Sequence, residues 1–114
     1  MVDAAFKVHK TLGPGLLESV YETCMCHELT ARNIPHKNQV PFPVVYDGVR
    51  IDSGLRLDIL VDDKIILEFK SVEKMIPLYE AQLLTYLKLT GLRLGFIINF
   101  NVPLLKEGIK RMVR

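Results

Sequence analysis

Asp58, Glu68 and Lys70 fall on one stretch, Arg56-Leu57-Asp58-Ile59-Leu60-Val61-Asp62-Asp63-Lys64-Ile65-Ile66-Leu67-Glu68-Phe69-Lys70. Its apolar residues alternate as in two β-strands joined by a tight turn. Leu57, Ile59 and Val61 are expected to share one face of the first strand, and Ile65, Leu67 and Phe69 one face of the second. The other face then collects Asp58, Leu60, Ile66, Glu68 and Lys70. A three-residue loop, Asp62-Asp63-Lys64, pairs Val61 with Ile65, Leu60 with Ile66 and Asp58 with Glu68. A two-residue loop would slip the register by one and send the two acids to opposite faces. The odd register is the expectation, with Lys70 two residues beyond Glu68 and Arg56 across from it.

Like charges directly opposite on a sheet are destabilising, so the pair calls for a counter-ion. Mg²⁺ or Mn²⁺ supplies one, because these ions take carboxylates, waters and substrate phosphate oxygens as ligands. Such an ion polarises a phosphodiester and lowers the pKa of bound water. A lysine ammonium beside it would hold the attacking water or stabilise developing negative charge. Asp58 followed by Glu68-x-Lys70 therefore has the composition of a phosphodiester-cleaving centre. The same residues also read as solvated charges, with Arg56 and Lys70 as their partners on an exposed sheet face. Glu-x-Lys alone does not separate the two.

Two further patterns bear on the choice. Gln82 and Tyr86 lie i, i+4 on one helix face, where an amide and a phenol can orient a phosphate, a base or a bound water. In a purely structural role Tyr86 packs and Gln82 is solvated. Glu18 and Glu22 also recur at i, i+4, with Glu18 in the first turns of its helix, where an anion complements the dipole.

The elements that must hold these residues follow from periodicity. Ala5, Phe6, Val8, His9 and Leu12 give a helix over 2–12, broken by Gly13-Pro14-Gly15. The pattern enters mid-helix, so further N-terminal turns are expected before it. Leu17, Val20, Tyr21, Cys24, Met25 and Leu29 form the stripe of a second helix over 16–33. From Val40 the period becomes two and runs to the turn Asp47-Gly48. Pro41 and Pro43 place that strand at a sheet edge. Strands follow at 49–51, 55–61 and 65–71, then a helix over 78–90 closed by Gly91, then an apolar strand over 94–100 buried on both faces. Residues 106–114 show no single period. The order is α-α-β-β-β-α-β, an α/β (α+β) architecture with a mixed sheet flanked by helices.

With 114 residues the chain is expected to form a single domain, 1–114. A net charge of +2 does not suit a non-specific DNA coat, although clustered basic residues would still serve nucleic acid. The longest apolar run, Leu94 to Ile98, is far short of the roughly 18 residues a membrane span needs, so no membrane partner is expected. The first residues lack the pattern of a signal peptide, and Cys24 and Cys26, two apart on a helix, are poorly placed to bridge. A reduced, cytoplasmic protein is the expectation. Cys24 with His27 supplies only two ligands, and His9 and His36 stand outside any motif. Asp52 reads as a turn acid, and Lys106, Lys110, Arg111 and Arg114 as a modest basic cluster with a solvated face as its default.

Gly15-x-x-Glu18-x-x-Tyr21 matches the signature of the GxxExxY proteins. The likeness runs nearly end to end, through Gln39-Val40-Pro41, Glu80 to Leu87 and Ile98 to Pro103. That family resembles a compact branch of the PD-(D/E)xK nuclease superfamily, with its restriction-endonuclease-like core. The resemblance implies that Asp58 is the acid of the second core strand, with Leu57 in place of the proline that names the motif. Glu68 and Lys70 match the Glu-x-Lys of the third strand. Gln82 and Tyr86 match the Gln-x-x-x-Tyr motif of RecB-like nucleases, and Glu18 the additional metal-binding acid of the first helix. Glu18, Asp58 and Glu68 are then expected to hold Mg²⁺ (or Mn²⁺), with Lys70, Gln82 and Tyr86 completing a nuclease site for nucleic acid, DNA ahead of RNA. Specific duplex interfaces bury about 1,000 Å² or more, so a homodimer or a targeting protein partner is expected if the substrate is duplex. The alternatives are a non-catalytic interaction module that retains the fold, or a metal-dependent enzyme on another phosphorylated substrate. A basic surface around the acids would favour nucleic acid; an acidic or sealed pocket would favour the other two.

Overall fold

Pro41 and Pro43 lack the N–H that a central strand needs, and their strand does lie at the rim of the sheet. In the computed structural model, which describes residues 1–114, it is β1 (His36–Tyr46), paired antiparallel with β2 (Val49–Val61). Asp47 and Gly48 join them with φ of 51° and 77°, the two left-handed positions of the hairpin turn that Asp-Gly favours. Next comes β3 (Ile65–Lys70), antiparallel to β2, and then β4 (Leu94–Asn99), parallel to β3. A parallel pair needs a crossover, and helix α3 (Pro77–Thr90) supplies it. Gly91, at φ 75°, ends α3 by donating its N–H to the Leu87 carbonyl.

The expected order is present, with one addition. After a 3₁₀ turn over Leu105–Glu107, β5 (Ile109–Val113) pairs antiparallel with β4 and closes the far edge. The result is a five-stranded mixed sheet in the order β1-β2-β3-β4-β5. Exposed Lys110 and Arg111 on β5 discourage further edge pairing.

Helices α1 (Val2–Leu12) and α2 (Glu18–Ala31) cover one face. Ala4, Ala5, Val8, Tyr21, Met25 and Leu29 pack there on Ile59, Val61, Leu67, Phe69 and Ile98. On the opposite face Leu83 and Leu87 of α3 pack on Leu55, Leu57, Ile66 and Ile97. The two central strands are thus buried on both faces, as the apolar run of β4 predicts.

Several apolar residues depart from their expected places, Leu12 and Val20 among them, at 38% and 37% exposed. Leu57 packs with Leu55 on the α3 side instead of with Ile59 and Val61. The alternation breaks at Asp58, where the pairing of β2 with β3 gives way to carboxylate contacts and Gln39 of β1 takes a left-handed φ of 51°. Leu17 is 73% exposed because α2 begins one residue later and Leu17 is its extended N-cap. Phe6 is 42% exposed, since α1 turns Ala4, Ala5, Val8 and His9 to the sheet and Phe6 falls outside that arc. No helix is long and apolar enough to cross a membrane.

Candidate active site

The β2–β3 ladder follows the register required by the three-residue loop: Val61 opposite Ile65, Leu60 opposite Ile66, Ile59 opposite Leu67. It then opens. The Phe69 N–H donates to Asp58 Oδ2 at 2.9 Å, and the Asp58 N–H donates to Glu68 Oε1 at 3.3 Å. Carboxylate oxygens thus take donors that strand pairing would otherwise use, which satisfies the backbone and holds the two acids side by side.

Glu68 is only 8% exposed. Burial first, and the charge of Asp58 second, push its pKa up to about 9; the Asp58 N–H and the Lys70 charge offset this only in part. With no cation at the pair, Glu68 therefore holds a proton at neutral pH. The Tyr86 phenol is also raised, by burial and then by the negative charges of Glu68 and Asp58, so α3 brings Tyr86 within the field of both acids. Lys70 Nζ stands 4.3 Å from the centre of the Tyr79 ring and makes no ion pair. Gln82 joins Lys70, Leu78, Tyr79, Ala81 and Thr85 around an open cleft of about 350 Å³ with no acidic residue in its wall.

Five of the expected residues, Asp58, Glu68, Lys70, Gln82 and Tyr86, thus gather where β3 meets α3. Arg56 does not. It is exposed and pairs with Pro41 of β1, because β2 has parted from β3 before reaching it. Glu18 lies at the rim and accepts the Ser71 N–H at 3.3 Å, just after Lys70. It is not drawn into one cluster with Asp58 and Glu68: no group of three His, Cys, Asp or Glu side chains is spaced to hold an ion. Glu22 is engaged elsewhere, accepting from the Gln39 amide at 2.7 Å.

The remainder of the Gly15-x-x-Glu18-x-x-Tyr21 pattern has a clear local purpose. Tyr21 stacks on Phe100 with centroids 4.4 Å apart, donates its hydroxyl to the Gly13 carbonyl at 2.6 Å and accepts the Leu16 N–H at 3.1 Å. The α1–α2 loop is thereby clamped, and the Leu16 carbonyl accepts from the Ser71 hydroxyl at 2.5 Å.

Asn99, 2% exposed at the end of β4, was not singled out by spacing or motif. Its Oδ1 accepts the Val72 and Asn101 N–H groups at 3.1 Å each, and its Nδ2 donates to the Val72 carbonyl at 3.0 Å. Tyr79 and Ser71 were missed too. The one available signal for Asn99 was a polar residue closing an apolar strand.

The donors suit a hard divalent cation. Asp58 and Glu68 offer only oxygen, which favours Mg²⁺ or Mn²⁺ over softer metals. Glu68 retains a proton because it is buried and because Asp58 lies beside it, and a cation at the same oxygens would replace that proton.

A family model described as the PD-(D/E)XK nuclease superfamily matches residues 1–112, and the chain belongs to that superfamily. No curated protein and no solved structure matches it.

Proposed function

We propose that this chain is a metal-dependent nuclease that hydrolyses phosphodiester bonds of nucleic acid, DNA ahead of RNA. One observation carries the proposal: an unstrapped strand pair sets Asp58 and Glu68 side by side, with Lys70 on the same strand. Two solvated surface acids would not set a buried carboxyl beside a second acid, as Glu68 lies beside Asp58. The superfamily's nucleases generally use divalent metal ions, and Mg²⁺ or Mn²⁺ fits Asp58 and Glu68. Glu18, at the rim beside Ser71, is the proposed third acid. Within the superfamily, the Gly15-x-x-Glu18-x-x-Tyr21 pattern supports placement in the GxxExxY branch.

Each residue has a role that its surroundings support. Asp58 and Glu68 hold the cation, which when bound polarises the phosphodiester and acidifies a water. Glu68 gives up its proton when the cation binds. Lys70, steadied on Tyr79 and unpaired, positions the attacking water or stabilises negative charge at the phosphate. Gln82 orients the phosphate from the cleft wall, and Tyr86, within the field of both acids, supplies a phenol beside them. The open, acid-free cleft beside Lys70 favours a nucleic-acid substrate over a small phosphorylated one. Duplex would need additional surface from a second copy or a targeting partner. A reduced, cytoplasmic setting agrees with the two free cysteines.

The test is Mn²⁺ titration by calorimetry on wild type and Glu68→Ala, with and without oligonucleotide, followed by cleavage assays on DNA and RNA with Mg²⁺ or Mn²⁺. Binding that vanishes in the variant, with cleavage by wild type alone, supports the nuclease. A folded wild type that binds no metal even with oligonucleotide present overturns it and leaves an interaction module.

A further inference from the structure

The largest cavity of the molecule, about 610 Å³, lies away from the carboxylate pair, between the last turns of α1 and the segment after β4. Lys7, Lys10 and Lys106 line it, no acidic residue does, and Phe6 and Leu104 stand exposed beside them. Phe6 is an aromatic residue that helical spacing assigns to the core and the fold leaves in water. The α1 dipole accounts for a cation at Lys10, but Lys106 comes from a different element. Neither Lys10 nor Lys106 has an ion-pair partner. Lys7 pairs with Glu28 at 3.2 Å, a carboxylate that also serves Arg32, so its charge is only partly answered.

This cleft opens at the same end of the sheet as the candidate active site. Its Gly13 carbonyl accepts from Tyr21, Tyr21 stacks on Phe100, and the Phe100 N–H donates to the Lys70 carbonyl at 3.0 Å. Both sites therefore sit at the carboxyl ends of the parallel strands β3 and β4, this cleft on the α1 side of the sheet and the Lys70–Gln82 cleft on the α3 side, so a strand joining them passes over that end of the sheet. A positive groove with an exposed aromatic ring is what an unpaired strand requires: cations for phosphates and a flat apolar face for a base.

We infer that the Phe6–Lys10–Lys106 cleft binds single-stranded nucleic acid flanking the cleavage point, with Phe6 stacking on a base and Lys7, Lys10 and Lys106 tracking the backbone. The inference rests on the nucleic-acid reading above. It adds that the strand entering the site is unpaired on this side and is held independently of the metal.

The test is fluorescence anisotropy of a labelled oligo(dT) of about twelve nucleotides in EDTA, where cleavage is silent. Phe6→Ala is expected to weaken binding about fivefold or more. Lys10→Gln/Lys106→Gln is expected to lower the slope of log K against log salt by about 1.4. Lys64→Gln/Lys88→Gln, the same charge loss elsewhere, should lower affinity less than the cleft pair does. Phe6 and both lysines are exposed, and thermal unfolding of each variant confirms that it is folded. Binding that depends on Phe6 and the lysine pair supports the subsite even if wild type cuts no substrate. Binding indifferent to Phe6→Ala, or weakened equally by the control pair, overturns it. So does a wild type that hydrolyses bis(p-nitrophenyl) phosphate with Mn²⁺ yet does not bind the oligonucleotide, and that result leaves the metal-dependent phosphodiesterase chemistry standing.

Discussion

Asp58 donates its backbone N–H to Glu68 Oε1 and accepts, at its own Oδ2, the N–H of the residue that follows Glu68. Neither acid can move without disturbing the backbone of the other strand. Each is therefore held ready for a ligand before one arrives, which reduces the cost of assembling the site.

Removing either acid should then remove cation binding rather than weaken it slightly. Asp58→Asn and Glu68→Gln are both expected to lose Mn²⁺ affinity and cleavage by about 100-fold or more, beyond what loss of a supporting contact produces. Calorimetry and a cleavage assay on the same preparations check this.

The proton on Glu68 makes two pH effects predictable. Its pKa rises from 4.5 unfolded to about 9 folded, so between those values the folded chain binds more protons than the unfolded one. Stability from this group is full below pH 4.5 and is lost as pH rises through about 9. In EDTA the melting temperature should fall across that window, and Glu68→Gln should flatten the fall. Mn²⁺ affinity should run the opposite way, rising up to about tenfold per pH unit below 9, because binding expels the proton. A metal affinity that stays flat with pH would mean that the ion does not contact Glu68.

Lys70 and Tyr79 should separate chemistry from positioning. Lys70→Ala is expected to lower turnover by about 10²–10³-fold, the cost of losing a donor to developing charge. Tyr79→Leu keeps the ammonium and removes the ring beneath it, worth about 0.5–1 kcal/mol, so turnover should fall only a few-fold. Steady-state kinetics on one oligonucleotide distinguishes the two.

The hairpin that carries the acids was readable because two constraints agree next to the turn: the alternation of Ile59 with Val61 and of Ile65, Leu67 and Phe69, and the odd loop that fixes their register; beyond Asp58 the alternation of β2 fails at Leu57. Pro41, Pro43 and Gly91 were readable for equally local reasons. The rest depends on contacts distant in sequence. Nothing local says that Phe6 will be exposed, since α1 chooses its buried arc only when the sheet is present. β5 was hidden because Ile109 and Met112 are only partly buried on an edge strand otherwise occupied by Lys and Arg. Asn99 and Tyr79 are bound to partners more than a turn away on other segments, and no spacing rule reaches them.

Asn99 is also the most exacting polar site in the fold. Asn99→Ala strands Val72 and Asn101 donors near the core and should cost about 1–3 kcal/mol in denaturant unfolding. Because Val72 closely follows Lys70, cleavage should fall by more than the loss of folded protein explains. Asn99→Asp keeps both acceptances at Oδ1 and should recover part of the loss.

Three residues separate each acid from the turn, 59–61 on β2 and 65–67 on β3, and this equal spacing is what brings Asp58 level with Glu68. A residue added inside the turn can be taken up as a longer loop, with Val61 still opposite Ile65 and the acids still aligned. A residue added between the turn and either acid has no such outlet: it moves that acid to the opposite face of the sheet, and only a compensating bulge on the same strand restores the pair.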